Sequence, residues 1–201
     1  MDDILIIGSD PSTLKACIHD LDTSLALKTL GSVNYFLRFE AFKDKTRLYL
    51  TQSKYTMDLL HKVGMRDCKA CDMPVNVGLS FTDEGDNFSD SSLYRTIIGS
   101  LQYLTYTRPN ISFVVNKLSE FLSTPKIQHW TAYKRLLRYL KGTIGLGLLF
   151  TSNVSDLALI VYTDADHVGC KVTRKSTSGI CVFLGLDLLV WNSRNSLLLF
   201  T

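Results

Sequence analysis

The sequence predicts an α+β protein, with strands toward both ends and helices in the middle. Short apolar stretches at residues 33–42 and 47–52 alternate with polar residues, which is typical of a β-hairpin. From residue 90 to residue 141, apolar residues recur at helical spacing in three stretches that prolines separate. After Gly142, short apolar stretches divided by glycine or Asn-Ser turns indicate strands again.

The composition limits the class of protein. Of the 201 residues, 46% are hydrophobic and 20% are charged, so the chain can form a core and is not disordered by composition. The net charge of +3 permits a nucleic-acid partner without requiring one. No apolar run approaches the roughly 18 residues that span a bilayer, and no secretory signal opens the chain. With five scattered cysteines, we expect an intracellular, reduced protein of unknown compartment, with no membrane partner.

The first third of the chain predicts a strand, a helix, a hairpin and a second helix. Residues 4–7 form an apolar run that predicts a buried strand. A capping aspartate and a proline then predict a helix over residues 10–21. The polar residues 43–46 predict the turn of the hairpin. The next helix is predicted over residues 53–63, with Ser53 as its cap.

The rest of the chain predicts a linker, three helices and four strands. Residues 66–89 are polar and rich in turn-forming residues, which predicts a linker. Helices are predicted over residues 90–108, 110–124 and 127–141, with Asn110 as the cap of the second. Strands are predicted at residues 146–150, 157–163, 178–184 and 188–191.

Two groups of carboxylates could hold a metal ion. Asp2 and Asp3 are adjacent, and Asp164 and Asp166 come at the end of an apolar strand. With a third carboxylate, a pair of this kind can hold two Mg²⁺ ions roughly 3.5–4 Å apart for phosphoryl or nucleotidyl transfer. The alternative is a solvated acidic terminus for the first pair and a turn that ends a strand for the second.

The predicted helix at residues 127–141 carries a basic stripe. Lys134, Arg138 and Lys141 cluster on one side at 100° per residue, and Arg135 flanks them. A stripe of this kind suits a phosphate backbone, whereas the alternative is an ordinary solvated helix face.

The cysteines and histidines favour no metal or hydrolytic site. Cys68 and Cys71 form a Cys-x-x-Cys pair, but no second pair follows at the spacing of a zinc site. The four histidines share no spacing and have no partnered nucleophile, so a hydrolytic triad is not predicted.

The order of several motifs resembles the Pol polyprotein of Ty1/copia-type retrotransposons. Residues 2–10 resemble the segment that follows Tyr-x in the Tyr-x-Asp-Asp box of reverse transcriptases. Further motifs similar to that family follow in the same order at residues 27–37, 50–55, 94–109, 134–143, 164–166, 176–179, 183–185 and 191–193. The resemblance therefore covers nearly the whole chain.

The resemblance implies a fragment of two enzymes. Residues 1–54 would be a remnant of an incomplete reverse-transcriptase palm, and residues 55–150 a helical thumb and connection region. Residues 151–201 would be a truncated RNase H-like sheet. The remaining parts of both active sites would lie in missing segments of a Pol polyprotein, which are one class of expected partner.

The resemblance also assigns roles to single residues. It makes Asp2, Asp3 and Asp164 catalytic carboxylates that bind Mg²⁺, and Asp166 a further metal ligand. Gln52 would lie near the hairpin that grips the primer. The basic residues Lys134, Arg135, Arg138 and Lys141 would lie near an RNA/DNA template–primer duplex.

Departures from the family pattern predict a chain that is inactive alone. Arg38 stands where the family has glycine, Asn110 where it has aspartate, and His167 where it has tryptophan. Carboxylates that lack the other acidic residues of their site cannot hold two metal ions against hydration, so neither polymerase nor nuclease activity is expected. The alternatives are a non-catalytic remnant that binds nucleic acid through residues 134–141, and a pseudogene product with no selected role.

Overall fold

A computed structural model gives the fold of this chain and describes residues 4–25, 28, 30–76, 81–152, 157–165 and 176–196. Asp2, Asp3, Asp166 and His167 lie outside the described residues. The described helices are α1 (Pro11–Leu25), α2 (Ser53–Lys62), α3 (Ser91–Leu104), α4 (Ser112–Ser119) and α5 (Ile127–Gly142). The described strands are β1 (Tyr35–Phe36), β2 (Phe39–Lys43), β3 (Arg47–Thr51), β4 (Leu148–Thr151), β5 (Leu159–Ala165), β6 (Ser176–Leu184) and β7 (Asp187–Ser196). The predicted α+β class is confirmed.

The strands form two antiparallel sheets. The first has the order β1-β2-β3-β4, and the second has the order β5-β6-β7. In the first sheet, the predicted hairpin pairs Phe42 with Tyr49, and β4 adds to β3 from about 100 residues further along the chain. Asp187 at the start of β7 accepts the backbone N–H of Thr151 at 2.9 Å, which ties the second sheet to the end of the first.

The core lies between helices α2, α3, α4 and α5. Its fully buried residues recur at helical spacing, as the apolar pattern predicts. They include Leu60, Ile97, Ile98, Leu101, Leu104, Leu118, Leu136, Leu137 and Leu140. Each such side chain contributes about 1.5–3 kcal/mol by burial, so these residues stabilise the packing of the four helices.

The strand predicted at residues 4–7 is wrong. These residues have no regular structure, and Ile7 is 84% exposed. A strand is stable only where a neighbour pairs with its backbone, and no described strand pairs with this segment. Its apolar run is therefore insufficient by itself to form a strand.

Of the three predicted helix caps, Asp10 is confirmed, because its carboxylate accepts the backbone N–H of Thr13 at 2.9 Å, whereas Ser53 and Asn110 are wrong. Ser53 is the first residue of α2, and its hydroxyl donates to the carbonyl of Ile144 at 3.0 Å. A carboxylate from β2 serves α2 instead, because Glu40 accepts the backbone N–H of Lys54 at 3.0 Å. Asn110 lies in a short 3-10 turn before α4, and its side chain bonds to Arg108 and Tyr139 instead of capping the helix.

The segment predicted as a linker packs along α5 instead. The Arg138 guanidinium donates to the carbonyl of Lys69 at 2.7 Å, and the Gln128 amide donates to the carbonyl of Thr82 at 2.7 Å. The described parts of residues 66–89 therefore do not separate two independent domains. No described helix is long and apolar enough to cross a membrane.

The buried His129 is expected to make the stability of the folded chain depend on pH. Its ring is fully buried, stacks on Phe121 at 3.8 Å, and accepts the backbone N–H of Lys126 at 3.0 Å. Burial lowers the pKa of His129 below its ordinary value of 6.5. The unfolded chain therefore binds this proton more readily than the folded chain, so stability is expected to fall as the pH drops below 6.5.

The His129→Asn variant tests this expectation. Asparagine keeps an acceptor for the Lys126 N–H but does not titrate. Urea unfolding at neutral and mildly acidic pH should show a larger loss of stability for the original chain than for the variant. Equal losses would show that His129 does not govern the acid response.

Candidate nucleic-acid interface

The turn between β1 and β2 carries two strained residues. Leu37 and Arg38 have φ values of 45° and 65°, which is the left-handed region that favours glycine. The two-residue hairpin loop requires positive φ at both positions, so each residue carries a cost of roughly 1 kcal/mol. Arg38 is exposed at the tip of the hairpin, at a backbone position that favours glycine.

Aromatic rings and two cations cluster around this turn. The Arg38 guanidinium lies 4.8 Å from the ring centre of Tyr55, and the Lys54 ammonium lies 5.2 Å from that of Tyr35. Tyr35 is 48% exposed and Tyr106 is 61% exposed. We call Tyr35, Arg38, Lys54, Tyr103 and Tyr106 the hairpin surface.

Packing behind the hairpin surface holds its rings in place. Tyr103 contacts Tyr106 and Phe39 edge to face, with ring centres 5.8 and 5.7 Å apart. The Tyr103 hydroxyl donates a hydrogen bond to the carbonyl of Leu37. Burial raises the pKa of Tyr103, although the nearby Arg38 lowers it, so the ring stays neutral near neutral pH. The hairpin tip is thereby fixed to the end of α3.

Gln52, which the family resemblance places near the primer, points into the protein. Its side chain is 2% exposed, and its carbonyl oxygen accepts the hydroxyl of Thr107 at 2.9 Å. Its amide nitrogen is buried without a described partner. Two residues later, Lys54 is exposed, so the hairpin surface lies close to Gln52 in sequence but faces solvent.

The basic residues of α5 lie away from its buried leucines, as the spacing predicts. Lys134 is exposed, and its ammonium lies 5.9 Å from the ring centre of Trp130. Arg135, Arg138 and Lys141 are half-buried. The Arg138 side chain is engaged with the 66–76 segment, so part of the basic stripe is already used within the protein.

The Cys-x-x-Cys pair contributes to this packing. Cys71 donates its backbone N–H to the carbonyl of Arg138 at 3.3 Å. Its thiol donates to the carbonyl of Arg135 at 3.4 Å. Cys71 therefore fastens the loop to α5, and no group of three or more metal-binding side chains occurs among the described residues.

A buried arginine joins the ends of α3 and α5. Arg108 is 2% exposed, and its guanidinium donates to the carbonyl and hydroxyl of Thr143 at 2.9 and 2.7 Å. It also donates to the amide oxygen of Asn110 at 3.2 Å, and Asn110 donates to the hydroxyl of Tyr139. Burial lowers the pKa of Arg108. Within the described part of the chain, no carboxylate forms an ion pair with this guanidinium.

Asp164 stands apart from these groups. It lies on the exposed strand β5, in register with Gly179 of β6. A shallow depression beside it is also lined by Ser178, Asn192 and Arg194. The structure thus brings a guanidinium, but no second described carboxylate, to this position.

Sequence reasoning missed the hairpin surface. The available signal was Arg38, a charged residue where the family has glycine. Tyr106 and Lys54 gave no signal of their own, because their closeness to the hairpin arises only from the packing of α2 and α3 against the first sheet.

Comparisons with known proteins identify the origin of the chain. An uncharacterised mitochondrial protein of Arabidopsis thaliana is 39% identical over 194 residues, which cover 96% of this chain and 80% of that protein. The retrovirus-related Pol polyprotein from transposon RE1 of Arabidopsis thaliana is 40% identical over 195 residues, again 96% of this chain. The chain belongs to the Ty1/copia-type retrotransposon Pol family.

Other Pol relatives extend this membership. The retrovirus-related Pol polyprotein from transposon TNT 1-94 of Nicotiana tabacum is 33% identical over 205 residues. The chain spans 13% of the RE1 polyprotein and 15% of the TNT 1-94 polyprotein. No protein-family model matches this Pol chain, and no solved structure matches it.

Proposed function

We propose that this Pol chain is the late part of a reverse transcriptase joined to the start of an RNase H-like domain. We further propose that the chain by itself binds nucleic acid but catalyses neither DNA synthesis nor RNA cleavage. In this proposal, residues 1–54 are a palm remnant, residues 55–150 are the thumb and connection, and residues 151–201 begin the RNase H-like domain. The order of the family motifs along the chain supports this assignment.

The hairpin surface is the observation that supports binding. Exposed aromatic rings provide stacking platforms for bases, and cations beside them attract phosphates. Both cations are held over rings, at 4.8 Å for Arg38 and 5.2 Å for Lys54, so less side-chain entropy is lost when a phosphate binds.

The proposed ligand is an RNA/DNA template–primer. Neither stacking nor phosphate contact depends on base identity, so we expect weak, sequence-independent binding that falls steeply with salt. The basic stripe of α5 is a second surface for the same ligand. Its contribution is expected to be smaller, because Arg138 is already bonded to Lys69.

The donors around Asp164 do not fit a two-metal site. Two Mg²⁺ ions need several carboxylates at one place, whereas Arg194 shares the depression with Asp164. The metal-binding roles of Asp2, Asp3 and Asp166 remain predictions, because these residues lie outside the described part of the chain. We therefore propose no catalytic step for this chain alone.

A single assay tests binding and chemistry together. The purified chain is mixed with a labelled DNA primer annealed to a labelled RNA template, Mg²⁺ and deoxynucleotides. We expect a bound complex on a native gel, with primer and template lengths unchanged on a denaturing gel. The control is the Asp2→Asn/Asp3→Asn/Asp164→Asn variant, which should give the same primer and template lengths as the original chain.

Two results would contradict the proposal. Primer extension or template cleavage that the triple variant lacks would show that the chain is catalytic alone. The absence of a salt-sensitive complex at high protein concentration would show that the chain does not bind nucleic acid.

A further inference from the structure

Helix α1 has an apolar face that the described part of the chain covers only in part. None of its 15 residues is buried. Leu14, Ile18 and Leu21 are half-buried, and Leu25 is 58% exposed. An isolated helix of this length is only marginally stable in water, so packing of its apolar face against a partner would stabilise the helix.

The start of α1 is well capped. The Asp10 carboxylate accepts the backbone N–H of Thr13 at 2.9 Å and that of Ser12 at 3.2 Å. Hydrogen bonds from Thr13 and Ser12 lower the pKa of Asp10. The cap defines where the helix begins, but it provides no partner for the apolar face.

The spacing of the apolar residues fits a second helix. Leu14, Ile18, Leu21 and Leu25 are separated by four, three and four residues, which is the heptad spacing of a two-helix seam. Residues at this spacing keep one narrow stripe facing a partner helix over two heptads.

The charges beside this stripe select the partner. Lys15 and Asp22 are seven residues apart, so they lie on the same flank of the apolar stripe. When two copies of α1 run antiparallel, the same flanks of both copies face each other. Lys15 of each copy then lies beside Asp22 of the other. The two helix dipoles point in opposite directions, which is favourable for neighbouring helices.

We propose that α1 pairs antiparallel with α1 of a second copy of this chain. Leu14 packs against Leu25 of the second copy, and Ile18 packs against Leu21 of the second copy. Two symmetric Lys15–Asp22 pairs flank these layers. The surface is self-complementary, as a two-fold interface requires.

The small area of this interface limits the affinity of the dimer. A helix of 15 residues is roughly 22 Å long, so the paired surface is smaller than a standard protein interface. Ile4 and Ile7 next to the helix are 54% and 84% exposed and add apolar area. The dimer is therefore weak and concentration-dependent.

Charge exchange in the full chain tests the pairing. Lys15→Asp and Asp22→Lys each replace two attractive pairs by two repulsive ones, and each should weaken self-association at low salt by at least about tenfold. An equimolar mixture of the two single variants should associate again, as should the double variant Lys15→Asp/Asp22→Lys. Sedimentation equilibrium measures each association constant, and circular dichroism confirms that each variant is folded.

Other results would overturn the proposal. If the chain stays monomeric at the highest soluble concentration, the proposed dimer does not form. Association that the single variants do not weaken, or that neither the mixture nor the double variant restores, uses another surface or a parallel pairing. Binding of another Pol segment by α1 without any self-association would assign the helix face to that segment.

Discussion

Replacement of Gly147 by alanine is expected to lower the free energy of unfolding by about 3 kcal/mol. A Cβ atom at Gly147 would lie 2.1 Å from the carbonyl oxygen of Leu50 and 3.0 Å from its carbonyl carbon. Both are backbone atoms of β3, so no side chain can move aside. The new methyl group would push β4 away from β3, where Leu50 pairs with Leu148.

Gly145→Ala is the matched control for this prediction. Gly145 lies two residues away and has open space around its Cβ position. Its replacement should change stability by less than about 0.5 kcal/mol, since it meets no neighbour and reduces the freedom of the unfolded chain. Urea unfolding measures both variants. Equal stabilities would mean that β4 does not pack on β3 as the structure describes.

Replacement of Asn110 by aspartate is expected to raise the free energy of unfolding by about 1 kcal/mol at neutral pH. The buried Arg108 guanidinium already donates to the Asn110 side-chain oxygen at 3.2 Å. A carboxylate there would turn this contact into an ion pair for a guanidinium that has none among the described residues. The Tyr139 hydroxyl can then donate to the new carboxylate rather than accept from the amide.

The pH dependence distinguishes this ion pair from a general effect. The guanidinium would hold the pKa of Asp at position 110 below its unfolded value. The gain is therefore present above the unfolded pKa and is lost as the pH falls through the folded pKa. The control is Asn87→Asp, which places a carboxylate beside Lys126 on the surface and should add at most a few tenths of a kcal/mol. A gain that persists in acid, or one no larger than that of the control, would contradict the role assigned to Arg108.

Local sequence signals predicted the parts of the fold that local physics determines. The turn at residues 43–46 and the helices rich in leucine at helical spacing form as expected, because each depends on neighbours in sequence. The strand predicted at residues 4–7 does not form, because a strand also needs a partner that the spacing of its own residues does not provide.

The candidate surface could be predicted only in part for the same reason. The outward side of α5 follows from helical periodicity, but the bond from Arg138 to Lys69 joins residues far apart in sequence. The burial of Gln52 likewise depends on Thr107, which comes from the end of α3. Family motifs suggest a role for each matching residue, whereas the exposure and the contacts of its side chain depend on the tertiary fold.

Salt-dependent binding by a variant of the hairpin surface tests the proposed nucleic-acid interface most directly. The variant is Arg38→Gly/Lys54→Gln, and its fold should be retained because glycine suits a φ of 65° better than arginine does. The matched control is Lys62→Gln/Arg66→Gln, which removes the same charge at and beyond the other end of α2. Anisotropy of a labelled RNA/DNA template–primer gives the affinity of each chain at several salt concentrations.

We predict that the hairpin variant binds more weakly at low salt. The slope of log affinity against log salt should become shallower by about two, one unit for each lost phosphate contact, while the control keeps the original slope. If the hairpin variant keeps the original affinity and slope, the hairpin surface is not where this chain binds nucleic acid. The same conclusion follows if the loss appears only when Lys134 and Lys141 of α5 are neutralised.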